Sequence, residues 1–398
     1  MHETRPLNLM RARAGAERVT NVELFFDLVY VFAVTQISHY LLDHRTSAGA
    51  LRAGLLLAMV WLVWVYTTWV TNWLDPEQIA VRLLLLGLAG ASLVMSAALP
   101  AAFSARGLAV GIAYAVMQIG RSVFAVVALR GRPLQRNFQR ILAWCLVSGT
   151  LAVLGGIASP DARAALWLAA VGVDVLGGAV GFYTPGLGRS ATRDWTIEGE
   201  HFAERCQAFI LIALGESIVV IGAALSGLAR ISAAEIAAFG VSLCTSVGLW
   251  WLYFDRSAGD AAHVIAASDD PGRLGRSAYH MIHPIMVAGI IVGAAADQLT
   301  LADPGAVGRA PASWMILGGV GLFLAGHAAF KAVVWRTTPW SRIVAVAVLA
   351  LLGLAAPHVS ALALSACAAA VVIGVAVADH VQDPGEDRAQ ARGDQRPG

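Results

Sequence analysis

Apolar stretches long enough to cross a membrane follow one another along almost the whole chain. They are separated by short segments that contain turn residues such as Pro and Gly. About 20 consecutive apolar residues span a bilayer as a helix, so the pattern predicts twelve transmembrane helices in an all-α, polytopic bundle. The predicted spans are 22–42, 51–74, 79–102, 107–129, 140–158, 164–183, 202–226, 234–254, 277–301, 313–335, 341–357 and 359–379.

The amino-acid composition agrees with a membrane protein. Of 398 residues, 58% are hydrophobic and 14% are charged, whereas about 25% of the residues are charged in soluble domains. The formal net charge is only +2, and no basic stripe interleaved with aromatic residues indicates binding to nucleic acid. We therefore expect membrane lipid as a partner and no nucleic acid. The sequence does not predict an oligomeric state.

The distribution of Lys and Arg predicts the orientation of the chain in the membrane. With the N-terminus in the cytoplasm, 18 of the 28 basic residues fall in cytoplasmic segments, 6 in outside loops and 4 within spans. Cytoplasmic loops carry the excess of basic residues in membrane proteins, so both termini are expected inside. The predicted organisation is a basic cytoplasmic segment (1–20), a six-helix half (21–183), a cytoplasmic linker (184–199), a second six-helix half (200–379) and a disordered cytoplasmic tail (380–398).

Similar segments in the two halves predict an internal duplication. The aromatic segment "WLVWVY" of the second span is matched by "GLWWLYF" in the eighth, and "QIGRSVFAVVALRGR" in the fourth resembles "LAGHAAFKAVVWRTT" in the tenth. Six helices per copy is an even number, so the two copies would be parallel, related by an axis along the membrane normal.

Ionisable side chains occur inside the predicted spans, where they are costly unless they face protein or water. Glu23 and Asp27 are one helical turn apart on the first span, and Glu216 lies deep in the apolar run of the seventh. At 100° per residue, the polar residues of each of these two spans fall on one face. We expect the two faces to meet across a central cavity. The residues that are candidates for binding a substrate or a proton are Glu23, Asp27, Arg121, His201, Glu204, Arg205, Glu216, His280, His283 and His327.

Simpler explanations exist for several of these residues. Glu23 and Arg205 lie near predicted span ends, where a side chain caps a helix or reaches the interface. Arg121 fits a structural ion pair, and the tryptophan-rich segments fit interfacial belts. The set His201, Glu204, His280 and His283 contains ligands that suit zinc or iron, but no metal or cofactor motif is present in the sequence. We expect neither a metal nor a cofactor.

Four segments resemble the bacterial low-temperature-requirement A family: "ERVTNVELFFDLVYVFAVTQISHYL", "WVYTTWVTNWLDP", "EGEHFAERCQAFILIALGESIVVIG" and "LWWLYFD". The resemblance covers roughly residues 15–380. It implies a multi-pass plasma-membrane protein, named for a growth requirement in the cold, and it brings no established molecular activity. The positions that match the family motifs are Glu23, Asp27, His201, Glu204, Arg205, Glu216 and Ser217. Ser217 joins the candidate residues on this ground.

Three classes of function remain open from the sequence. Repeated halves, buried acids and histidines are typical of a secondary transporter, here a proton-coupled one moving a small solute. An intramembrane enzyme would use Asp27 or Glu216 as a general acid on a lipid-phase substrate such as an isoprenoid. A membrane scaffold or sensor would have no catalytic site. We expect a transporter first and an enzyme second.

Overall fold

The computed structural model describes residues 9–11, 19–190, 199–227, 231–255 and 257–382. This part of the chain is almost entirely helical and contains no sheet. Its helices are α1 (Asn21–Asp43), α2 (Ser47–Thr71), α3 (Ile79–Ala98), α4 (Gly107–Ala128), α5 (Pro133–Ile157), α6 (Pro160–Ala179), α7 (Gly199–Ser226), α8 (Ala233–Phe254), α9 (Ser257–Ala266), α10 (Pro271–Gly275), α11 (His283–Ala302), α12 (Ala310–Trp335), α13 (Trp340–Ala355) and α14 (Ala361–Gln382).

The predicted all-α bundle of twelve spans is confirmed. Within the described ranges, twelve helical stretches are long and apolar enough to cross a membrane. Eight of these are single α-helices, and the third and the eleventh end in a short 3₁₀ turn; the eighth, Ala233–Ile265, runs from α8 into α9, and the ninth, Pro271–Ala302, contains α10 and α11. The orientation of the termini stays a prediction.

Several helices begin earlier than the apolar pattern indicates, because polar residues cap them. α2 starts at Ser47, where the Thr46 hydroxyl accepts a hydrogen bond from the Gly49 amide at 3.0 Å. α10 starts after Asp270, whose carboxylate accepts from the Arg273 amide at 2.9 Å. Side-chain caps satisfy the first free amides of a helix and so extend it beyond its apolar part.

α10 and α11 are joined by a π-helical turn, Arg276–Ile282. A π-helix has i→i+5 hydrogen bonds, and short π segments within helices often occur at functional sites. The turn carries Arg276 and His280, which line a cavity described below.

Large apolar side chains cover much of the outer surface of the helices. Leu93, Leu168 and Leu351 are half or more exposed, and exposed apolar side chains of this kind occur on nearly every span. A soluble protein rarely exposes large contiguous apolar patches, whereas a membrane protein places this surface against lipid. The chain therefore contacts membrane lipid.

The chain divides into two units, Met1–Glu216 with Ala261–Pro284, and Ser217–Asp260 with Ile285–Gly398. Their boundaries differ from those of the predicted halves, and the duplication stays a prediction. In the first unit α1 packs on α2 and α3, α4 packs on α3 and α5, and α2 also contacts α6. In the second unit α8 packs on α14, and α12 packs on α13 and α14.

The tryptophans of α2 form part of the core of the first unit, so the hypothesis of an interfacial belt is wrong for them. Trp61 is 2% exposed and Trp64 is fully buried, because α2 is covered by α1, α4 and α6. Trp250 and Trp251 in α8 are 42% and 49% exposed, as a lipid-facing or interfacial position requires.

Glycines allow α11 and α12 to approach closely within the second unit. A Cβ atom on Gly319 would lie 2.7 Å from the backbone nitrogen of Gly293 and 3.1 Å from the carbonyl oxygen of Gly289. Gly289 and Gly293 are four residues apart, the spacing that small residues use for close helix contacts in membranes.

Candidate functional site

An ion pair buried in the first unit joins α1 to α7. Arg205 donates two hydrogen bonds to the Asp27 carboxylate, from Nη2 to Oδ1 at 2.5 Å and from Nε to Oδ2 at 2.8 Å. Trp64 Nε1 donates a third, to Asp27 Oδ1 at 2.6 Å. Arg205 and Asp27 are buried. All three donors are groups that only donate, so Asp27 is held as a carboxylate.

Glu23 lies beside this pair and contacts both α7 and the residue that precedes α1. Its Oε1 accepts from Arg205 Nη1 at 3.3 Å, and its Oε2 accepts from the Thr20 amide at 3.0 Å and the Thr20 hydroxyl at 2.9 Å. Glu23 therefore caps the start of α1, as one explanation from the sequence expects, and also belongs to a buried ion pair. Its role in binding a substrate or a proton stays a prediction.

His201 lies between a cation and an anion. Its Nε2 is 2.8 Å from Nη1 of Arg11 and 3.1 Å from Oε1 of Glu23. Arginine only donates, whereas a carboxylate only accepts. An unprotonated Nε2 therefore accepts from Arg11, and a protonated Nε2 donates to Glu23. The partner of this nitrogen depends on where the proton is.

The four charges of this group compensate one another. Arg11 and Arg205 are the cations, and Glu23 and Asp27 are the anions; all four are buried. The guanidinium carbon of Arg205 also lies 5.9 Å from the ring centres of Phe26 and Trp64. Paired and hydrogen-bonded charges of this kind are tolerated inside a membrane protein, whereas one left alone costs several kcal/mol. We call Glu23, Asp27, His201, Arg205 and Arg11 the acid–arginine cluster.

Glu216, the last residue of the first unit, is buried apart from these ion pairs. Its Oε2 lies 2.6 Å from the Thr35 hydroxyl, and its Oε1 has no hydrogen-bond partner among the described residues. The Thr35 hydroxyl also lies 3.0 Å from the carbonyl oxygen of Val31. No cation of the described part of the chain forms an ion pair with Glu216, which separates it from Glu23 and Asp27.

Arg121, on α4, is also buried, and its hydrogen-bond partners are neutral. It donates to the Gln118 amide oxygen, to the Val63 carbonyl oxygen at 3.3 Å and to the Thr67 hydroxyl at 3.4 Å. Gln118 in turn donates to Asp174 Oδ2 at 2.6 Å. A direct ion pair, the structural explanation suggested by the sequence, does not occur, because Gln118 stands between Arg121 and Asp174.

Arg121 lines a cavity of the first unit. Five aromatic side chains form much of its wall, and Arg276 and His280 approach it from the π-helical turn. The aromatic lining residues are Tyr66, Trp69, Trp73, Phe138 and Phe182.

The comparisons with known proteins identify the family. A family model described as bacterial low temperature requirement A protein matches residues 18–377. The chain belongs to this family. An uncharacterized protein of Rhizobium meliloti (strain 1021) is 37% identical over 362 residues, which cover 90% of this chain and 88% of that protein. No solved structure matches the chain.

Membership of the low temperature requirement A family confirms the resemblance seen in the sequence motifs. With the twelve spans, it makes the chain a multi-pass bacterial membrane protein. The first and third motifs supply Glu23, Asp27, His201 and Arg205, and the structure brings these four together.

Other motif residues of the low temperature requirement A family lie elsewhere. Glu204 is exposed, and its Oε2 accepts from the Val19 amide at 3.4 Å. Ser217 is buried in the second unit, where it lines a smaller cavity with Asp297.

The other three candidate histidines have different partners. The His280 ring packs against Tyr66 at 5.5 Å between ring centres, and its carbonyl oxygen accepts from Trp61 Nε1 at 2.8 Å. The His283 ring lies 4.8 Å from that of Tyr279. His327, in the second unit, lies 3.1 Å from the Ser257 hydroxyl. Among the described residues, no three His, Cys, Asp or Glu side chains are grouped so that they could hold a metal ion.

Sequence reasoning missed three residues of interest. Arg11 belongs to the acid–arginine cluster, although it falls in the predicted cytoplasmic segment. Thr35 forms a hydrogen bond with Glu216, and its position eight residues beyond Asp27 gave no distinct signal. Asp297 accepts from the Ser242 hydroxyl at 2.7 Å; an acid inside the apolar run "GAAADQLT" was the signal that could have found it.

Proposed function

We propose that this low temperature requirement A protein is a secondary, proton-coupled transporter of a small solute in the bacterial inner membrane. The observation that carries the proposal is the environment of Glu216. Among the described residues this buried carboxyl group has one hydroxyl partner and forms no ion pair, and acids inside the membrane spans of transporters act in proton relays.

The Thr35 hydroxyl can form a hydrogen bond with Glu216 whether or not the carboxyl group carries a proton. The Thr35 hydroxyl has one hydrogen and two close oxygen atoms, the Val31 carbonyl at 3.0 Å and Glu216 Oε2 at 2.6 Å. If the hydroxyl donates to Val31, the contact with Glu216 is a hydrogen bond only when the carboxyl group donates. Loss of that proton reverses the hydroxyl, which then donates to Glu216.

His201 Nε2 lies within hydrogen-bond distance of both Arg11 and Glu23, so it accepts from the first or donates to the second according to which ring nitrogen carries the hydrogen. Asp27 takes no part in proton movement in this proposal. Its bonds to Arg205 and Trp64 keep it ionised, so it positions α7 against α1 and carries no proton.

The second candidate function is an intramembrane enzyme that acts on a lipid-phase substrate. The aromatic wall of the cavity lined by Arg121 favours it, since aromatic faces stabilise a developing cation. Asp27 is unsuited as its general acid, because its partners are all donors. Loss of a lipid product in a Glu216→Gln variant, with no movement of protons, would support the enzyme over the transporter.

Replacing Glu216 with glutamine should abolish proton movement, because an amide cannot carry the proton. The full chain is reconstituted into liposomes that contain a pH-sensitive dye, and single amino acids, sugars, organic cations and organic anions are added outside. We expect at least one solute to change the internal pH with the native chain and none to do so with Glu216→Gln.

The matched control for this experiment is Glu204→Gln, on the same helix but exposed, which should keep the native pH change. A Glu216→Gln variant that still moves protons would contradict the role of Glu216. A native chain that moves no protons with any solute would contradict the transporter.

The proposed topology places both termini in the cytoplasm. In a background with Cys244 and Cys367 replaced by serine, a cysteine at Arg132, between α4 and α5, should resist an impermeant thiol reagent added to intact cells. A cysteine at Arg45, between α1 and α2, should react. Both positions are exposed, so reversed labelling would invert the topology.

A further inference from the structure

We propose that the aromatic cavity of the first unit binds an organic anion: a carboxylate, sulfonate or phosphate attached to an apolar body. This inference deepens the proposed function, because it takes the anion as the transported solute. Binding itself requires no transport and can be tested alone.

The first argument is the charge of Arg121. Its side chain is buried to 1% exposure, and no carboxylate of the described residues forms a direct ion pair with it. Gln118, Val63 and Thr67 bind the guanidinium as neutral partners, and the buried carboxylate of Asp174 is joined to it only through Gln118. A buried cation without an anion in contact is costly. An anionic ligand in the adjoining cavity would supply that anion.

The second argument is that the charged side chains lining the cavity are all positive. Arg276 is the other charged lining residue, and its guanidinium donates to the Gly178 carbonyl oxygen. That bond fixes the side chain and uses one of five N–H donors. No Asp or Glu of the described chain lines the cavity. Two arginines therefore face the same space, which repels cations and attracts anions.

The third argument is the chemistry of the rest of the wall. Five aromatic rings would cover an aromatic or aliphatic body, whereas a sugar would leave most of its hydroxyl groups without partners. Gly178, Gly181 and Gly272 have no side chains, so a ligand can approach the backbone there.

The two charged residues come from separate elements, α4 and the π-helical turn. Arginine forms paired hydrogen bonds with carboxylate and phosphate oxygens, and two guanidinium groups suit an anion with two or three oxygens. A soluble organic anion and the headgroup of an anionic lipid share this chemistry, so the experiment includes both.

Binding is measured by calorimetry and thermal stabilisation with the purified full chain. The soluble probe is phenyl phosphate, and the matched cation is phenyltrimethylammonium, which has the same ring and the opposite charge. The lipid probe is phosphatidic acid in nanodiscs, compared with phosphatidylcholine. We expect phenyl phosphate or phosphatidic acid to bind and the cation not to bind. The probe that binds identifies the source of the anion.

Arg276→Gln should weaken binding of that anion at least tenfold, the effect of losing one charge-assisted hydrogen bond. Arg121→Lys keeps the positive charge but cannot form the two parallel hydrogen bonds that a guanidinium donates to an oxyanion. This variant should fold and bind the anion more weakly. The control is Arg82→Gln, an exposed arginine paired with Glu77 outside the cavity, which should bind normally.

Failure of both anions to bind, equal binding of the cation, or unchanged affinity in Arg276→Gln would overturn the proposal. These results are separate from those for the transporter. Glu216→Gln should still bind the anion, and a chain that binds no anion but moves protons with another solute would keep the transporter and remove this site.

Discussion

Replacing Arg205 with methionine should lower the free energy of unfolding by about 3–5 kcal/mol, as expected when one partner of a buried ion pair is removed. Asp27 would lose two of its three hydrogen bonds, and Glu23 would lose one. Both carboxylates would remain buried, with only Arg11 as a cation in the cluster. Thermal unfolding of the purified chain in detergent measures the effect.

A second substitution distinguishes lost charge compensation from lost packing. Asp27→Asn in the Arg205→Met background removes the unpaired carboxylate and keeps an oxygen for Trp64 Nε1. The double variant should be more stable than Arg205→Met alone, which simple loss of packing would not produce. Arg82→Met, which breaks an exposed ion pair, should change stability by less than about 1 kcal/mol.

Replacing Gly319 with leucine should destabilise the second unit by about 3 kcal/mol, at the upper end for overpacking. A Cβ at this position meets the backbone of Gly293 at 2.7 Å, and backbone cannot rotate away as a side chain can. α11 and α12 would have to separate, so that the contacts along both helices are weakened.

The neighbouring glycine provides the control. A Cβ on Gly318 has nothing within 4 Å, and leucine there would face open space on the same helix. Gly318→Leu should therefore keep the native unfolding temperature or raise it, since leucine favours a helix more than glycine does. Equal destabilisation by the two variants would show that the close approach at Gly319 does not determine the result.

The spans could be predicted because a membrane helix depends on local composition alone. Twenty apolar residues form a helix in lipid wherever the rest of the chain lies. The helix starts were less accurate, since Thr46 and Asp270 act through single capping bonds that the apolar pattern does not contain. The π-helical turn gave no signal at all.

The candidate site was only partly predictable, because its contacts join distant parts of the chain. The spacing of Glu23 and Asp27 indicates that they share a face, but not that Arg205, 178 residues beyond Asp27, binds them. Arg11 precedes the first apolar run, so the apolar pattern does not include it among the site residues. It is nevertheless buried against Glu23 and His201. Glu216 was identified from its apolar surroundings, whereas its partner Thr35 was visible only in three dimensions.

The π-helical turn Arg276–Ile282 also bears on the history of the family. A π turn contains one residue more than an α-helix of the same height, as a single inserted codon in an ancestral α-helix would leave. A relative without that codon would have an unbroken α-helix, and residues before the deletion would be rotated by about 100° relative to those after it. Arg276 and His280 would then no longer both face Gly178 and Tyr66. The number of residues between Asp270 and Pro284 should therefore separate relatives that keep this cavity wall from relatives that have lost it.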